Sequence, residues 1–260
     1  MMHERRVQAA AKNNAAWCSA VCLAHGCPCR FIDGAWVNPG VAPPYYSNMV
    51  TTQGGAIARA HERFIRETLS VEPAREFGFK DSFSSIDPLA CLDDVNAGGQ
   101  RRFGLLFEAS WIWREPERYA PGDGELQWRR ATSEPELIEF EQVWRGDSAN
   151  EAAGATPRMF PPGLLELLDM AFLVGRDAGG RAKAVAAANR TGDVVGLSNV
   201  FGPSVGASEL WSGAARAASE VFDPGLPLVG YERGIDLSHA GAVGFESVGH
   251  LRVYVLGRAE

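Results

Sequence analysis

Two stretches of the chain combine residue types and spacing that could do chemistry. The first is Gly202-Pro203-Ser204-Val205-Gly206-Ala207-Ser208, a glycine-bearing turn that runs into a segment with Trp211, Ala215, Ala218 and Val221-Phe222 on one helical face. A helix starting here turns its unpaired N–H groups and positive dipole end toward the turn, which suits an anionic group such as phosphate. The plain alternative is a structural turn with Ser208 as helix cap. The second stretch is Cys18, Cys22, His25, Cys27 and Cys29, a C-x3-C-x2-H-x-C-x-C run. Thiolates and imidazole suit zinc. The run lacks paired C-x2-C knuckles, however, and Cys18 and Cys22 lie one helical turn apart beside Trp17 and Val21, where buried thiols are common. The reading adopted is buried thiols and no metal.

The elements that must position the turn are legible around it. Val194, Val195, Leu197, Val200 and Phe201 form a short β-rich run. Gly202-Pro203 stops that run, because proline cannot donate to a ladder. Asp223-Pro224-Gly225 ends the helix that follows. Leu226, Leu228, Val229 and Tyr231 then make a strand. Asp236 is the expected N-cap of a helix carrying Leu237, Ala240 and Val243, and Gly244 sits where a helix end takes a left-handed residue. Leu251, Val253 and Val255 alternate with His250, Arg252 and Tyr254 in a last strand.

This order closes with Gly244-Phe245-Glu246-Ser247-Val248-Gly249 and Leu251-Arg252-Val253-Tyr254-Val255, and it resembles the second half of GNAT-type N-acetyltransferases. The resemblance implies an α/β (α+β) fold with a GNAT-like mixed central sheet flanked by helices. It makes residues 194–201 the splayed central strand, residues 202–207 the pyrophosphate loop, and the helix from Ser208 the one whose N-terminus receives the phosphates of an acyl-CoA. Acetyl-CoA is the implied co-substrate, held by Asn199, Val200, Phe201, Gly202, Ser204, Val205, Gly206, Ala207 and Ser208. Asn199 would bind the pantetheine arm or polarise the thioester carbonyl; the alternative is a strand-end amide satisfied locally. The implied reaction moves an acyl group to a primary amine of a small molecule by direct attack. Aminolysis of a thioester needs a base for the amine and an acid for the thiolate. His239, Tyr254 and Glu232 are the titratable candidates. The chain departs from the family twice: the loop has no Arg or Lys, and Ala240, preceded by His239, stands where the family often has a tyrosine acid. Those departures keep a rival open, a non-catalytic GNAT-fold binding or regulatory protein without the loop signature.

The rest of the chain reads as a diverged copy of the same unit followed by the start of the second one. Residues 4–25 form a helix with a stripe of mostly small residues. Residues 29–36 alternate around an Asp33-Gly34 turn, and residues 41–52 read as a second strand. Gly54-Gly55 and a helix over 56–69 follow, so Ser47-Asn48-Met49-Val50 and Ser198-Asn199-Val200-Phe201 are each succeeded by a glycine turn and a helix. Residues 76–83, 86–96 and 103–113 read as strand, helix and strand. Tyr45-Tyr46-Ser47-Asn48-Met49-Val50-Thr51 and Lys80-Asp81-Ser82-Phe83 also resemble stretches of bacterial GNAT-like proteins. The expected domains are 1–115, an abbreviated GNAT-like half; 116–125, a Pro- and Gly-bearing linker; and 126–260, a GNAT-like acyltransferase domain. That domain opens with a strand at 126–130, a helix begun by Thr132-Ser133 and Glu134-Pro135-Glu136, a short helix at 164–170, and a hairpin of strands at 171–175 and 183–188. Residues 146–157 between its helices read as a loop. Trp36, Tyr45, Tyr46 and Trp111, with Asn48 and Asp81, are the expected lining of an acceptor cleft; for the tryptophans, core packing is the favoured alternative.

Composition narrows the function classes. A length of 260 residues suits one large domain or two small ones, and a net charge of −7 argues against a nucleic-acid surface. No apolar run reaches the roughly 18 residues of a membrane span. Lys12 and Asn13-Asn14 interrupt the first helix, so it does not read as a signal-peptide core, and a cytoplasmic location is expected.

Overall fold

Alternating burial in one meander sets the frame of the second half of the chain. In the computed structural model, which describes residues 2–72, 75–92, 101–117, 124–146 and 158–258, the chain divides into two units. One comprises residues 1–111 and 248–260, the other residues 112–247. Both divisions fall within strands, β5 (Arg101–Arg114) and β11 (Glu246–Arg258). The final strand, expected to belong wholly with residues 126–260, therefore packs from Val248 onward with the first unit. Residues 118–123 of the expected linker lie outside the described residues.

The second unit is built on β6 (Gln127–Arg130), β7 (Met170–Arg176), β8 (Ala182–Thr191), β9 (Val194–Phe201) and β10 (Leu228–Glu232), neighbours in the order β6-β7-β8-β9-β10. The first four form an antiparallel meander, and β10 runs parallel to β9. Side chains alternate across the sheet. Ala171 and Leu173 of β7, Ala186 and Ala188 of β8 and Leu197 of β9 share one core with Trp211, Ala214, Ala215 and Ala218 of α4 (Ala207–Phe222). Phe172, between two of those residues, stacks edge-on against Phe140 of α3 (Glu134–Arg145) at 5.1 Å, and Phe160 joins them. The α3 start is a capping box: Glu136 accepts from the Ser133 N–H and hydroxyl at 3.1 and 3.0 Å. The helix expected at 164–170 is a 3-10 turn at Pro162–Glu166, because Met170 already begins β7. Two expected caps move. Gly206 caps α4, leaving Ser208 in its first turn, and Arg233 caps α5 (Gly234–Ala242), leaving Asp236 inside the helix.

The first unit pairs β1 (Arg30–Ile32), β2 (Ala35–Val37), β3 (Met49–Thr51), β4 (Gly78–Asp81), the 248–258 part of β11 and β5 in that order. β3 and β4 are parallel; the other registered pairs are antiparallel. Helix α1 (Met2–Ala24) buries Val7, Ala10, Ala11, Trp17, Cys18, Val21 and Cys22. Helix α2 (Ala58–Val71) buries Ile65 and Leu69 in a core with Val37, Met49 and Phe79. The strand expected over 41–52 shrinks to three residues. Pro43-Pro44 cannot donate to a ladder, Tyr45 takes a positive φ of 68°, and Tyr46 N–H turns back to Pro43 O at 3.1 Å. Residues 86–92 form turns rather than the expected helix, and residues 93–96 lie outside the described residues, as do 147–157 of the expected loop.

His61 of α2 pins the β1–β2 turn. It is fully buried, and its Nε2 lies 3.0 Å from the Asp33 carbonyl oxygen. A carbonyl only accepts, so Nε2 carries the proton, and the buried Nδ1 has no partner. Burial pushes the imidazole below its ordinary pKa of 6.5; the carbonyl bond and the nearby Asp81 and Glu62 only partly oppose this. The unfolded chain therefore binds this proton more tightly than the folded one. The stabilisation is full above about pH 6.5 and is lost as pH falls below it. Urea unfolding at about pH 7.5 and about pH 5.5 should show a drop in midpoint for the native chain, and a smaller drop for His61→Gln.

Candidate functional site

The central strand of the second unit is broken where a ligand could lie along it. β8 and β9 pair regularly through Ala188↔Leu197 and Ala187↔Ser198, and the next registered pair is Val185↔Phe201. Asn199 and Val200 thus face the single residue Ala186, which is a β-bulge. Asn199 sits at the bulge with φ 52°, a left-handed conformation that asparagine tolerates better than most residues. On the other side, β10 is registered with β9 only through Leu228↔Val195 and Val229↔Gly196. Gly230 follows, so close to β9 that a Cβ would stand 2.6 Å from the Leu197 carbonyl oxygen. Beyond that point the parallel pairing stops. Exposure follows the pairing: β9 is buried through Leu197 and part-exposed from Ser198 to Phe201, and β10 is buried at Leu228 and Val229 and part-exposed from Gly230 to Glu232.

The β9–α4 turn lies at the end of this parting. Val205 N–H donates to Gly202 O at 3.0 Å, and the first intrahelical bond runs from Leu210 N–H to Gly206 O at 2.9 Å. The N–H groups of Ala207, Ser208 and Glu209 therefore precede the first helical partner, and Gly206 has no side chain to cap them. The Glu209 carboxylate in the same turn accepts from Leu126 N–H at 3.1 Å. Gly202 is wedged: a Cβ would meet Ala184 and Leu210 at 3.1 Å each, whereas one on Gly206 would meet nothing within 4 Å. Ser204, Gly206 and Ser208 are exposed. Val200 and Val205 pack partly onto Leu126, Ala184 and Leu210, and the Asn199 amide donates to Ser198 Oγ at 3.1 Å.

Glu232 ends β10. The residue keeps some solvent exposure, but its carboxylate is set deep enough to lose most of its water. That desolvation, with the negative charge of Asp236 added, raises its pKa to about 8. The Arg233 backbone N–H and guanidinium oppose the shift only in part. His239 lies in the last turn of α5, its Nδ1 3.7 Å from Asp236 Oδ1. Ala240 beside it is fully buried. The second unit thus brings together the loop residues, Asn199, Glu232 and His239 in one fold. Asp236, read in the sequence only as a cap, also bears on Glu232. The signal was present in Glu232-Arg233-Gly234-Ile235-Asp236, where a strand-end acid is followed by a second acid in the next helical turn.

The remaining expected site residues belong to the first unit. Tyr254 stacks on Phe79 there at 4.9 Å. Trp36 and Trp111 are fully buried, Tyr45 is exposed, and Tyr46 accepts a 2.9 Å bond from Trp17 Nε1. Asn48 is buried and spent on backbone: its Nδ2 donates to Asn38 O and Gly40 O, and its Oδ1 accepts from Gly78 N–H. Asp81 accepts from Phe83 and Ile86 N–H groups at 3.1 and 3.0 Å. The strand–glycine turn–helix order recurs here as β3, Gly54-Gly55 and α2, but the parallel strands stay closed. Ser82 N–H donates to Thr51 Oγ1 and Ser82 Oγ to Thr51 O, both at 2.8 Å, beyond the last registered pair Val50↔Lys80. A Cβ on Gly54 would meet Phe83 at 2.5 Å. Among the described residues, no three His, Cys, Asp or Glu side chains cluster as a metal site, and no helix is long and apolar enough to cross a membrane.

No protein-family model and no curated protein matches this chain. Solved structures do. A GCN5-related N-acetyltransferase from Kribbella flavida superposes with TM-score 0.53 at 12% identity, over 93% of this chain and 94% of that one. A GNAT-family protein from Novosphingobium aromaticivorans gives 0.52 at 13%, over 92% and 97%. A conserved protein of unknown function from Bacteroides thetaiotaomicron gives 0.53 at 13%, over 97% and 92%.

The bulge has a direct test. Asn199→Gly should keep stability within a few tenths of a kcal/mol. Asn199→Val, β-branched at a positive φ, should cost about 1–2 kcal/mol. Equal losses from the two in denaturant unfolding would mean the left-handed conformation does not matter.

Proposed function

We propose, from the premise that this chain has the GNAT fold, that its second unit is an acyl-CoA-dependent N-acyltransferase acting on a primary amine of a small molecule. The observation that carries this reading is the parting of β9 from β10, with an uncapped α4 N-terminus at its end. A diphosphate fits that turn: the Ala207, Ser208 and Glu209 N–H groups and the Ser204 and Ser208 hydroxyls are its donors, and the helix dipole adds to them. The unpaired edge of residues 198–201 offers backbone groups to an amide-bearing arm. Bound acyl-CoA supplies an activated acyl carbon at a thioester.

The chain's own contribution is proton handling and exclusion. Glu232 is the proposed base for the amine. With its pKa near 8, it is mostly protonated at neutral pH and gains base form as pH rises. Asp236 helps hold that value by disfavouring a second negative charge nearby. Ala240 is buried and apolar and supplies no proton donor at its position. His239, a third exposed beside Asp236, is the second of the three expected catalytic residues to lie in this unit.

A second reading, a GNAT-fold binding protein without turnover, is favoured by two observations: the loop has no Arg or Lys, and Ala240 replaces an acid. Kinetics separate the two. With acetyl-CoA and an amine panel, kcat/KM should rise with pH along a limb centred near 8. Glu232→Gln should lose that limb and about 10²–10⁴-fold in kcat, leaving acetyl-CoA affinity unchanged. Binding without turnover across the panel would favour the second reading.

Gly206→Asp tests the loop by effects of opposite sign. Its φ of −60° suits any residue, and aspartate is a better N-cap than glycine by a few tenths of a kcal/mol. Thermal stability should hold or rise, while CoA affinity falls by about tenfold or more through charge repulsion at the same N–H groups. Unchanged affinity would remove the loop from the site.

A further inference from the structure

Helices α1 and α5 end in the same six-residue cap. At α5, Gly244 has φ 92°, Gly244 N–H donates to Gly241 O, and Phe245 N–H donates to Ala240 O, both at 3.1 Å. At α1, Gly26 has φ 74°, Gly26 N–H donates to Leu23 O, and Cys27 N–H donates to Cys22 O, both at 2.9 Å. This pair of bonds brings the first and last side chains of the cap against each other. At α5 those side chains are Ala240 and Phe245, which share a core cluster. At α1 they are Cys22 and Cys27.

The surroundings of the two thiols are specific. Asn38 Nδ2 donates to Cys22 Sγ at 4.0 Å, and Cys27 Sγ–H donates to the Val41 carbonyl at 3.4 Å. Cys22 is buried and Cys27 part-exposed, so one thiol meets solvent and the other waits behind it. The neighbouring thiols have other partners: Cys18 bonds Asn14 Oδ1 and Cys29 bonds Ser19. A disulfide needs the two Cβ atoms about 3.8 Å apart and facing, and the cap supplies that kind of contact through its backbone.

We propose that Cys22 and Cys27 form an oxidisable dithiol, closed to an intramolecular disulfide by small-molecule disulfides such as oxidised glutathione. Cys27 loses its proton, and its thiolate attacks one sulfur of the small disulfide. A Cys27–S–S–R bond forms, the original S–S bond breaks, and one thiol leaves. Cys22 loses its proton and attacks Cys27 Sγ, forming the Cys22–Cys27 bond and releasing the second small thiol. Two protein thiols and one small disulfide become one protein disulfide and two small thiols. Burial pushes both cysteines above the ordinary thiol pKa, so closure is slow near neutrality and faster in base. The product fastens the C-terminal cap of α1, where Asn38 and Val41 pack.

The test is incubation of the full chain with excess oxidised glutathione at about pH 8.5, alkylation of remaining thiols, and chymotryptic mapping, which cuts after Leu23 between the two cysteines. The expected result is a Cys22–Cys27 cross-link reversed by dithiothreitol, with Cys18, Cys29 and Cys91 alkylated and the oxidised chain melting at higher temperature. In Cys22→Ala, Cys27 should stop at the glutathione adduct. Five alkylated cysteines, a wild-type chain halted at that adduct, or a cross-link between other cysteines would each overturn the proposal.

Discussion

The feature on which the candidate site depends is the end of parallel pairing between β9 and β10. A parallel ladder with both faces covered normally continues while both strands last. Here it stops after two registered pairs, because the extra residue at Asn199 turns β9 out of register while Gly230 marks the last close approach. The residues beyond the last registered pair are part-exposed on both strands. The uncapped turn Gly202–Ala207 and the raised carboxyl of Glu232 lie at the C-terminal ends of those two strands, so the ladder defect, the proposed anion site and the proposed base come from one local arrangement.

The first unit shows the same order of elements without the defect. Thr51 and Ser82 join β3 and β4 by two 2.8 Å bonds where β9 and β10 part, and Phe83 stands over Gly54. Asp81 is consumed in holding the residues after β4. A site needs unspent hydrogen-bonding groups, and in the first unit the corresponding groups bond one another. That difference accounts for placing the function in the second unit although both units carry a glycine turn before a helix.

Much of the fold was legible because its periods are strong. The hairpin of β7 and β8, the helix start at Thr132-Ser133, the Gly244 helix end and the closing strand all rest on local chemistry that survives packing, although Tyr254 rather than Val255 turns to the core. What failed rests on choices only tertiary contacts make. Residues 41–48 look extended, yet Tyr46 N–H turns back onto Pro43 O and Tyr45 takes a positive φ, so the strand starts only at Met49. Ser208 looks like a cap, yet the cap falls two residues earlier, at Gly206, and the helix starts at Ala207. Glu232 was legible as a titratable candidate, but not its raised pKa, which depends on burial and on Asp236. Trp36 and Trp111 were read both as lining and as core; their complete burial places them in packing.

The most direct measurement of the central idea is calorimetric titration of the folded chain with acetyl-CoA and with free CoA. The parted strands occur in one unit and the stitched strands in the other, so binding should be in the micromolar range with one site per chain. Two equivalent sites per chain would contradict the contrast between the units, and no binding by well-folded protein would contradict the site itself.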